Sequence, residues 1–354
     1  MTSVEGFSGA TKILVTGGAG FIGSHVVKIL LERYNVPVRV MHLPHDNMIN
    51  LNGLDVELFS GDITCSEDVA AAVEGCDVVF HLAAVYALWL PDMALMDRVN
   101  IGGTRLLFGE CVKQSVRRVV YTSSFARFAG QGLDATCDET SPFKLGCSYY
   151  SRTKYESHQL AERYAENGLD VVIVNPACPL GPGDYGPTPT GRLIADAFNL
   201  PVTMGVHTVS NYIDVRDCAM GHVLALEKGR TGESYILGDK NASHPDLMRR
   251  LQKVVGMKRP LITVSPNTLY PLAYLTQAIA KYVTHKAPFM TPVELEISNA
   301  GLIADPSKAR TELGLPSRPL EESLHDAVSW FVLNGYISNK EVCRKFEQAS
   351  AISV

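Results

Sequence analysis

The sequence predicts an α/β fold, a parallel sheet wound on both faces by helices and followed by a smaller mixed lobe. Three observations carry that prediction. Short apolar, β-branched runs alternate with segments of helical apolar spacing up to Pro176, the pattern of strand–helix–strand crossovers. The first run leads directly into a glycine-rich turn, Thr16-Gly17-Gly18-Ala19-Gly20-Phe21-Ile22-Gly23. Beyond Pro176 the alternation gives way to a stretch dense in proline and glycine.

Taken in order, Ile13–Val15 reads as a strand, and Phe21–Arg33 as a helix with Ile22, Val26, Val27, Leu30 and Leu31 on helical spacing. Val36–Met41 and Val56–Phe59 read as the next strands, the latter running into Gly61-Asp62-Ile63. Asp77–Leu82 is nearly all apolar, as suits a strand buried on both faces. Val119–Ser123 and Asp170–Asn175 follow as strands, with helical patterns over Ser66–Val73, Asp97–Gln114 and Ser148–Glu166. Residues 178–191 read as loop because of their Pro and Gly content. After them come an extended run at Asn211–Val215, a helix over Arg216–Glu227 and a strand at Ser234–Leu237. An apolar stretch from Leu269 to Tyr282 and a final helix over Glu321–Asn334 close the pattern. The expected division is an N-terminal domain over 11–176, with 209–238 returning to its sheet, and a lobe of 177–208 and 239–340. The stretch 269–282 contains Pro271, Gln277 and Lys281 and falls short of a membrane span. It reads as a core or lid helix, the alternative being an apolar wall against a substrate.

With 354 residues the chain can bury a large core in one α/β unit or two modest domains. A hydrophobic share of 46% and a charged share of 19% are those of an ordinary globular chain. The net charge of -5 gives no reason to expect general binding to nucleic acid or to anionic membranes. The eight cysteines form no C-x-x-C and no Cys/His cluster. That argues against a metal site and a disulfide scaffold, and for a reducing, cytoplasmic compartment. Met1–Ala10 has no basic run followed by an apolar stretch and reads as a short tail rather than a signal peptide.

The glycine turn carries the first chemistry. Gly17 permits the tight turn, Gly20 lets backbone approach a pyrophosphate, and Gly23 lets helix and strand pack closely. The helix that opens there offers free N–H groups and a partial positive charge to phosphate. Strand, turn and helix together predict a Rossmann-type dinucleotide bed.

The spacing Gly-x-x-Gly-x-x-Gly resembles the extended short-chain dehydrogenase/reductase superfamily. Further motifs follow in that family's order: Asp62-Ile63, His81-Leu82-Ala83-Ala84, Asn100-Ile101-Gly102-Gly103-Thr104, Thr122-Ser123-Ser124 and Tyr150-x-x-x-Lys154. The resemblance runs from near residue 11 to near residue 336. Three stretches, 187–192, 211–215 and 235–238, look like the bacterial dihydroflavonol-reductase-like group. That group includes hopanoid-associated sugar epimerases and is similar to hydroxysteroid dehydrogenases. The resemblance implies a nicotinamide dinucleotide held by Gly17, Gly20, Phe21, Ile22, Gly23, His42, Asp62, Ile63, Leu82, Ala83, Ala84, Tyr150, Lys154 and Pro176. It also implies a homodimer joined by a four-helix contact.

Tyr150 and Lys154 lie four apart on one helix face. A lysine ammonium and a cationic nicotinamide ring would favour phenolate, fitting the tyrosine to move a proton to or from a carbon–oxygen group. Ser124, at the end of a buried strand, can bond the substrate oxygen as charge develops. Thr122 and Ser123 are its rivals, and Tyr149 is the rival of Tyr150. Asn100 reads either as the anchor of a water relay to Lys154 or as a helix-cap or turn asparagine.

The end of the second strand should choose the cofactor, since an acid there binds the ribose 2′-hydroxyl and an arginine a 2′-phosphate. His42 and Leu43 stand there, and no Lys or Arg occurs between His42 and Asp62, which favours NAD over NADP. For the substrate, Tyr86, Trp89, Phe125 and Phe128 are candidates to line an apolar pocket, with Tyr185 and Arg192 facing it from the later lobe. The expected reaction interconverts a ketone and a secondary alcohol on a mostly apolar small molecule. The alternative is a nucleotide-sugar epimerase or dehydratase holding NAD tightly.

Overall fold

The computed structural model describes residues 12–128, 131–144, 148–200 and 202–352. The Met1–Ala10 tail and Cys147 lie outside them. The chain runs β1 (Ile13–Thr16), α1 (Phe21–Arg33), β2 (Val38–His42), β3 (Glu57–Ser60), α2 (Ser66–Val73), β4 (Val78–His81), α3 (Ala94–Met96), α4 (Thr104–Lys113), β5 (Arg118–Thr122), β6 (Thr136–Cys137), α5 (Tyr149–Glu166) and β7 (Val171–Pro176). It continues with β8 (Cys178–Leu180), α6 (Pro189–Asn199), β9 (Thr203–Val206), β10 (Val209–Asp214), α7 (Val215–Lys228), β11 (Ser234–Leu237), β12 (Lys240–Ser243) and α8 (His244–Val255). It ends with β13 (Leu261–Val264), α9 (Pro266–Ile279), α10 (Pro292–Ala300), β14 (Ile303–Ala304), α11 (Leu320–Leu333) and α12 (Lys340–Ile352). A wide π-type turn at Asp97–Gly103 joins α3 to α4.

Seven strands form one sheet in the order β11-β7-β5-β4-β1-β2-β3, every pair parallel. The α/β, Rossmann-type expectation is therefore met. Alternation along each strand sends side chains to two separate apolar layers. Val15, Val40, Val120 and Val172 pack with Val26 and Leu30 of α1 and Val223 of α7. Leu14, Val79, Tyr121 and Ile173 pack on the other face with Val69 of α2, Leu107 of α4 and Leu160 of α5. Strand order reverses between β1 and β4, and the crevice at such a switch point, beyond the strand C-termini, is where open α/β sheets bind ligands.

The later part differs from the sequence expectation in four places. Residues 178–191 are not all loop: Cys178–Leu180 pairs with β10, and α6 begins at Pro189. Proline at the first helical turn is favourable, because the missing N–H is one that no helix carbonyl could meet. Segment 209–238 divides, β10 pairing with β8 and β12 while α7 and β11 join the large sheet. The helix α12 follows α11, which is therefore not the last. Finally, α9 is neither core nor cavity wall, since most of its large apolar side chains face solvent. A second core, around Ile194, Phe198, Leu247, Leu251, Leu324 and Phe331, holds α6, α8 and α11 together.

Candidate functional site

A cavity of about 650 Å³ opens at the switch point. Its floor is the β1–α1 turn. Gly17 has φ +70°, a left-handed conformation, and a Cβ there would sit 2.8 Å from the Ala83 amide nitrogen. A Cβ on Gly23 would lie 2.2 Å from the Gly17 carbonyl oxygen. Both glycines are thus demanded by close backbone approach. The first bond of α1 runs from Ser24 N–H to the Gly20 carbonyl, leaving the preceding N–H groups without a helix partner. A polar link fixes the turn from below. His81 Nδ1 accepts from the Thr16 hydroxyl at 2.8 Å, and its Nε2 donates to Thr104 Oγ1 at 2.9 Å, a tautomer set by Thr104 donating onward to the Asn100 carbonyl at 2.7 Å. Burial pushes the His81 pKa down to about 3, so the ring is neutral.

The cavity wall includes Gly17, Gly20, Phe21, Ile22, Gly23, His42, Asp62, Ile63, Leu82, Ala83, Ala84, Ser124, Tyr150, Lys154 and Pro176. On the substrate side it includes Tyr86, Phe125 and Tyr185. Four expected site residues lie off the wall. Phe128 is fully buried behind Phe125, with the Arg127 guanidinium 4.3 Å from its ring centre. Trp89 yields its place to Leu88, and Arg192 is exposed on α6. Asn100 is buried, and its Oδ1 accepts the Val85 N–H at 2.8 Å while its Nδ2 donates to the Val85 carbonyl at 3.0 Å and to Thr153 Oγ1 at 3.1 Å. It ties the strand-four loop to α5 and bonds neither Lys154 nor Tyr150.

The rivals in the catalytic motifs are engaged elsewhere. The Ser123 hydroxyl is 3.0 Å from His158 Nδ1, and the Thr122 hydroxyl donates to His222 Nε2 at 3.1 Å, the other ring nitrogen donating to the Cys218 carbonyl. Tyr149 bonds Asp97 and stacks beneath the Arg152 guanidinium. Ser124 accepts the Ala126 N–H at 3.1 Å and sits against the Tyr150 phenol. Lys154 donates to the Thr122 carbonyl at 3.0 Å. Burial moves the pair opposite ways, Tyr150 up to about 12 and Lys154 down to about 7. For Tyr150, desolvation outweighs the lowering by the neighbouring Ser124 hydroxyl. Above Tyr150 lies Tyr86, ring centres 4.7 Å apart. Leu88, from the 85–90 stretch expected to border the reacting centre, is on the wall, and sequence reading missed Leu95, Cys178, Ile297 and Leu302. No local pattern marks Ile297 or Leu302, which the fold brings back from far along the chain.

At the opposite end, Leu43 N–H donates to Asp46 Oδ2 at 2.8 Å, fixing a carboxylate beside His42 on the wall. Asp62 Oδ1 accepts both the Thr64 N–H and hydroxyl at 2.8 Å, and Asp68 accepts the Asp62 N–H. Among the described residues Lys154 is the only Lys or Arg on the wall, and no cluster of metal-ligating side chains occurs. The glycine bed, the free helix amides and the long cavity fit a dinucleotide.

Fold and site together define a nicotinamide-dependent oxidoreductase of the extended short-chain type. The family model "NAD dependent epimerase/dehydratase family" matches residues 13–238, and the chain belongs to that family. It is 35% identical to a dihydroflavonol 4-reductase-like protein of Synechocystis, over 94% of this chain and 97% of that one. It is 32% identical to sterol demethylase protein B of Methylococcus capsulatus, over 92% of this chain and 99% of the relative. The crystal structure of gox2253 is similar with a TM-score of 0.81 at 35% identity, covering 93% of this chain and all of that one. An NAD-bound dTDP-glucose 4,6-dehydratase from Streptomyces venezuelae shares the fold at a TM-score of 0.76 and 23% identity, over 92% of this chain and 99% of that one.

Proposed function

We propose that the chain interconverts a secondary alcohol and a ketone on a mostly apolar, ring-bearing molecule, with NAD as cofactor. NAD, when bound on the glycine bed, supplies or accepts the hydride. Tyr150 holds the proton that the substrate oxygen gains or loses, and Ser124 donates a hydrogen bond to that oxygen. Lys154 stands behind them on the same helix face. The fixed Asp46 carboxylate, with no Lys or Arg at that end of the wall, favours a ribose hydroxyl over a dianionic 2′-phosphate.

The observation that carries the substrate reading is the apolar lining of Tyr86, Leu88, Phe125, Ile297 and Leu302, on a wall whose only Lys or Arg among the described residues is Lys154. A nucleotide sugar brings a second pyrophosphate that needs a cation. Arg192 is off the wall, and Arg216 is held by Asp214 and Asp326 at 2.7 Å each. Sterol-directed names among the relatives, sterol demethylase protein B in particular, agree with an apolar ring system. The test is NADH and NADPH oxidation against cyclic ketones and nucleotide sugars. NADH consumption with a ring ketone is the expected result; interconversion of nucleotide sugars without net cofactor consumption overturns the reading. Tyr150→Phe should lower turnover by ~10²–10⁴-fold while NADH binding is kept, the range for loss of a positioned acid–base group. Unchanged turnover would remove Tyr150 from the mechanism.

A further inference from the structure

The helix α9 turns most of its large apolar side chains to solvent. Its inward face carries Leu269 and Tyr270, both only partly buried, with Ala273 buried and the Thr276 hydroxyl donating to the Met290 carbonyl at 2.7 Å. Its outward stripe is Leu272, Leu275 and Ile279 at helical spacing, continued by Tyr282 and Val283 in the wide helical turn Ala280–Thr284 and by Phe289 in the loop after it. Tyr282, Val283 and Phe289 are 72%, 71% and 70% exposed. Soluble helices place such a stripe against the core, and a contiguous exposed patch of this kind marks an interaction surface.

Charge says what the surface faces. Between Asp246 and Glu294 the chain has seven Lys and Arg and no Asp or Glu, although its net charge is -5. Arg250 is spent on Asp246 and Glu321, and Arg259 on the Phe198 and Leu200 carbonyls. Lys281 and Lys286 are exposed within the apolar patch, Lys281 lying 5.2 Å from the Tyr282 ring centre. Large exposed apolar side chains, a tyrosine and neighbouring lysines along one surface are what an interfacial segment presents to anionic lipid. No helix among the described residues is long and apolar enough to cross a membrane.

We propose that α9 and the loop to Phe289 dock the protein on an anionic bilayer surface, lying in its plane. The net charge of -5 gives no reason to expect such binding, whereas the local run of Lys and Arg does. The helix α10, packed on α9, carries Ile297 into the cavity wall. The docked face therefore adjoins the substrate end, and apolar substrate enters from lipid. Only that last consequence rests on the function proposed above, and the test reads binding without turnover, so the two fail separately.

The test is co-sedimentation of the full chain with sucrose-loaded vesicles of phosphatidylcholine mixed with phosphatidylglycerol, and of phosphatidylcholine alone. Binding to the mixed vesicles, weakened several-fold by high salt or by omitting phosphatidylglycerol, is expected. The triple variant Leu275→Ser, Tyr282→Ser, Val283→Ser should lose roughly tenfold or more in binding, and Lys281→Glu with Lys286→Glu should remove the salt dependence. As a second readout, Tyr282→Trp should shift its emission to the blue when mixed vesicles are added. No pelleting, equal pelleting by all variants, or no Trp shift overturns the proposal. So does a vesicle-free dimer that the triple variant turns into a monomer, which would give the face to a second copy of the chain.

Discussion

The two halves of the cavity are made differently. The half that fits the dinucleotide is mostly backbone: Gly17 against Ala83, Gly23 against Gly17, and the opening amides of α1. Buried polar side chains brace it from beneath, His81 between Thr16 and Thr104, His222 under Thr122. The substrate half is mostly side chain, gathered from loops and from α10. A backbone surface tolerates little change and serves one ligand. A side-chain surface can be altered residue by residue without disturbing the sheet, so the same bed can serve many substrates.

The largest expected consequence is acid sensitivity of the braced half. Burial holds His81 near a pKa of about 3 and His222 near about 4, against 6.5 for a free ring. Between 6.5 and those values the unfolded chain binds protons that the native state refuses, so stability falls as pH falls through that window. When the whole window is crossed, His81 contributes roughly 5 kcal/mol and His222 roughly 3–4 kcal/mol, at about 1.4 kcal/mol per pKa unit. Thermal melts between pH 6.5 and 4 should show a steep acid limb. His222→Gln should make it shallower, because glutamine has no proton to take up. A limb of unchanged slope in that variant would assign the acid loss to other groups.

Next in size is Gly17→Ala. The left-handed backbone and the 2.8 Å approach to Ala83 forbid a relaxed Cβ. A penalty of about 1–3 kcal/mol, the range for such backbone strain, translates to a roughly five- to 150-fold weaker NADH affinity. Fluorescence titration of NADH measures it; wild-type affinity would mean the bed is more pliant than its backbone contacts say.

That contrast also explains what could be read from the sequence. The bed comes from contiguous residues, so strand, glycines and helix announced it, and Tyr150 with Lys154 share one helix. The rivals were separable only by geometry, since Ser123 is engaged by His158 and Tyr149 by Asp97, partners distant in sequence. Phe128 reads as wall because it follows Ser124 closely in sequence. The short helical turn over Phe125–Phe128 sends Phe125 to the wall and buries Phe128. Leu88 replaces Trp89 for a similar reason, as a one-residue step along a loop changes the face presented. The stretch that forms α9 reads as a core or lid helix because composition alone cannot tell which way an apolar stripe points.

The smallest expected effect is the sharpest probe of the substrate half. Ile297 lies on α10, partly buried, and reaches the cavity from a segment with no role in the cofactor bed. Ile297→Ser removes apolar contact with the substrate while leaving Gly17, Tyr150 and Lys154 untouched. About 1.4 kcal/mol of lost contact, a little under the value of a fully buried aliphatic side chain, corresponds to a roughly tenfold higher KM. NADH affinity should stay at the wild-type value, and kcat should change little, because contact made equally in ground and transition states sets KM alone. A joint loss of NADH binding and KM would show that the halves are coupled through the wall rather than built independently. A KM that did not move at all would put the substrate away from α10, leaving Tyr86 and Phe125 as the apolar contacts to test in its place.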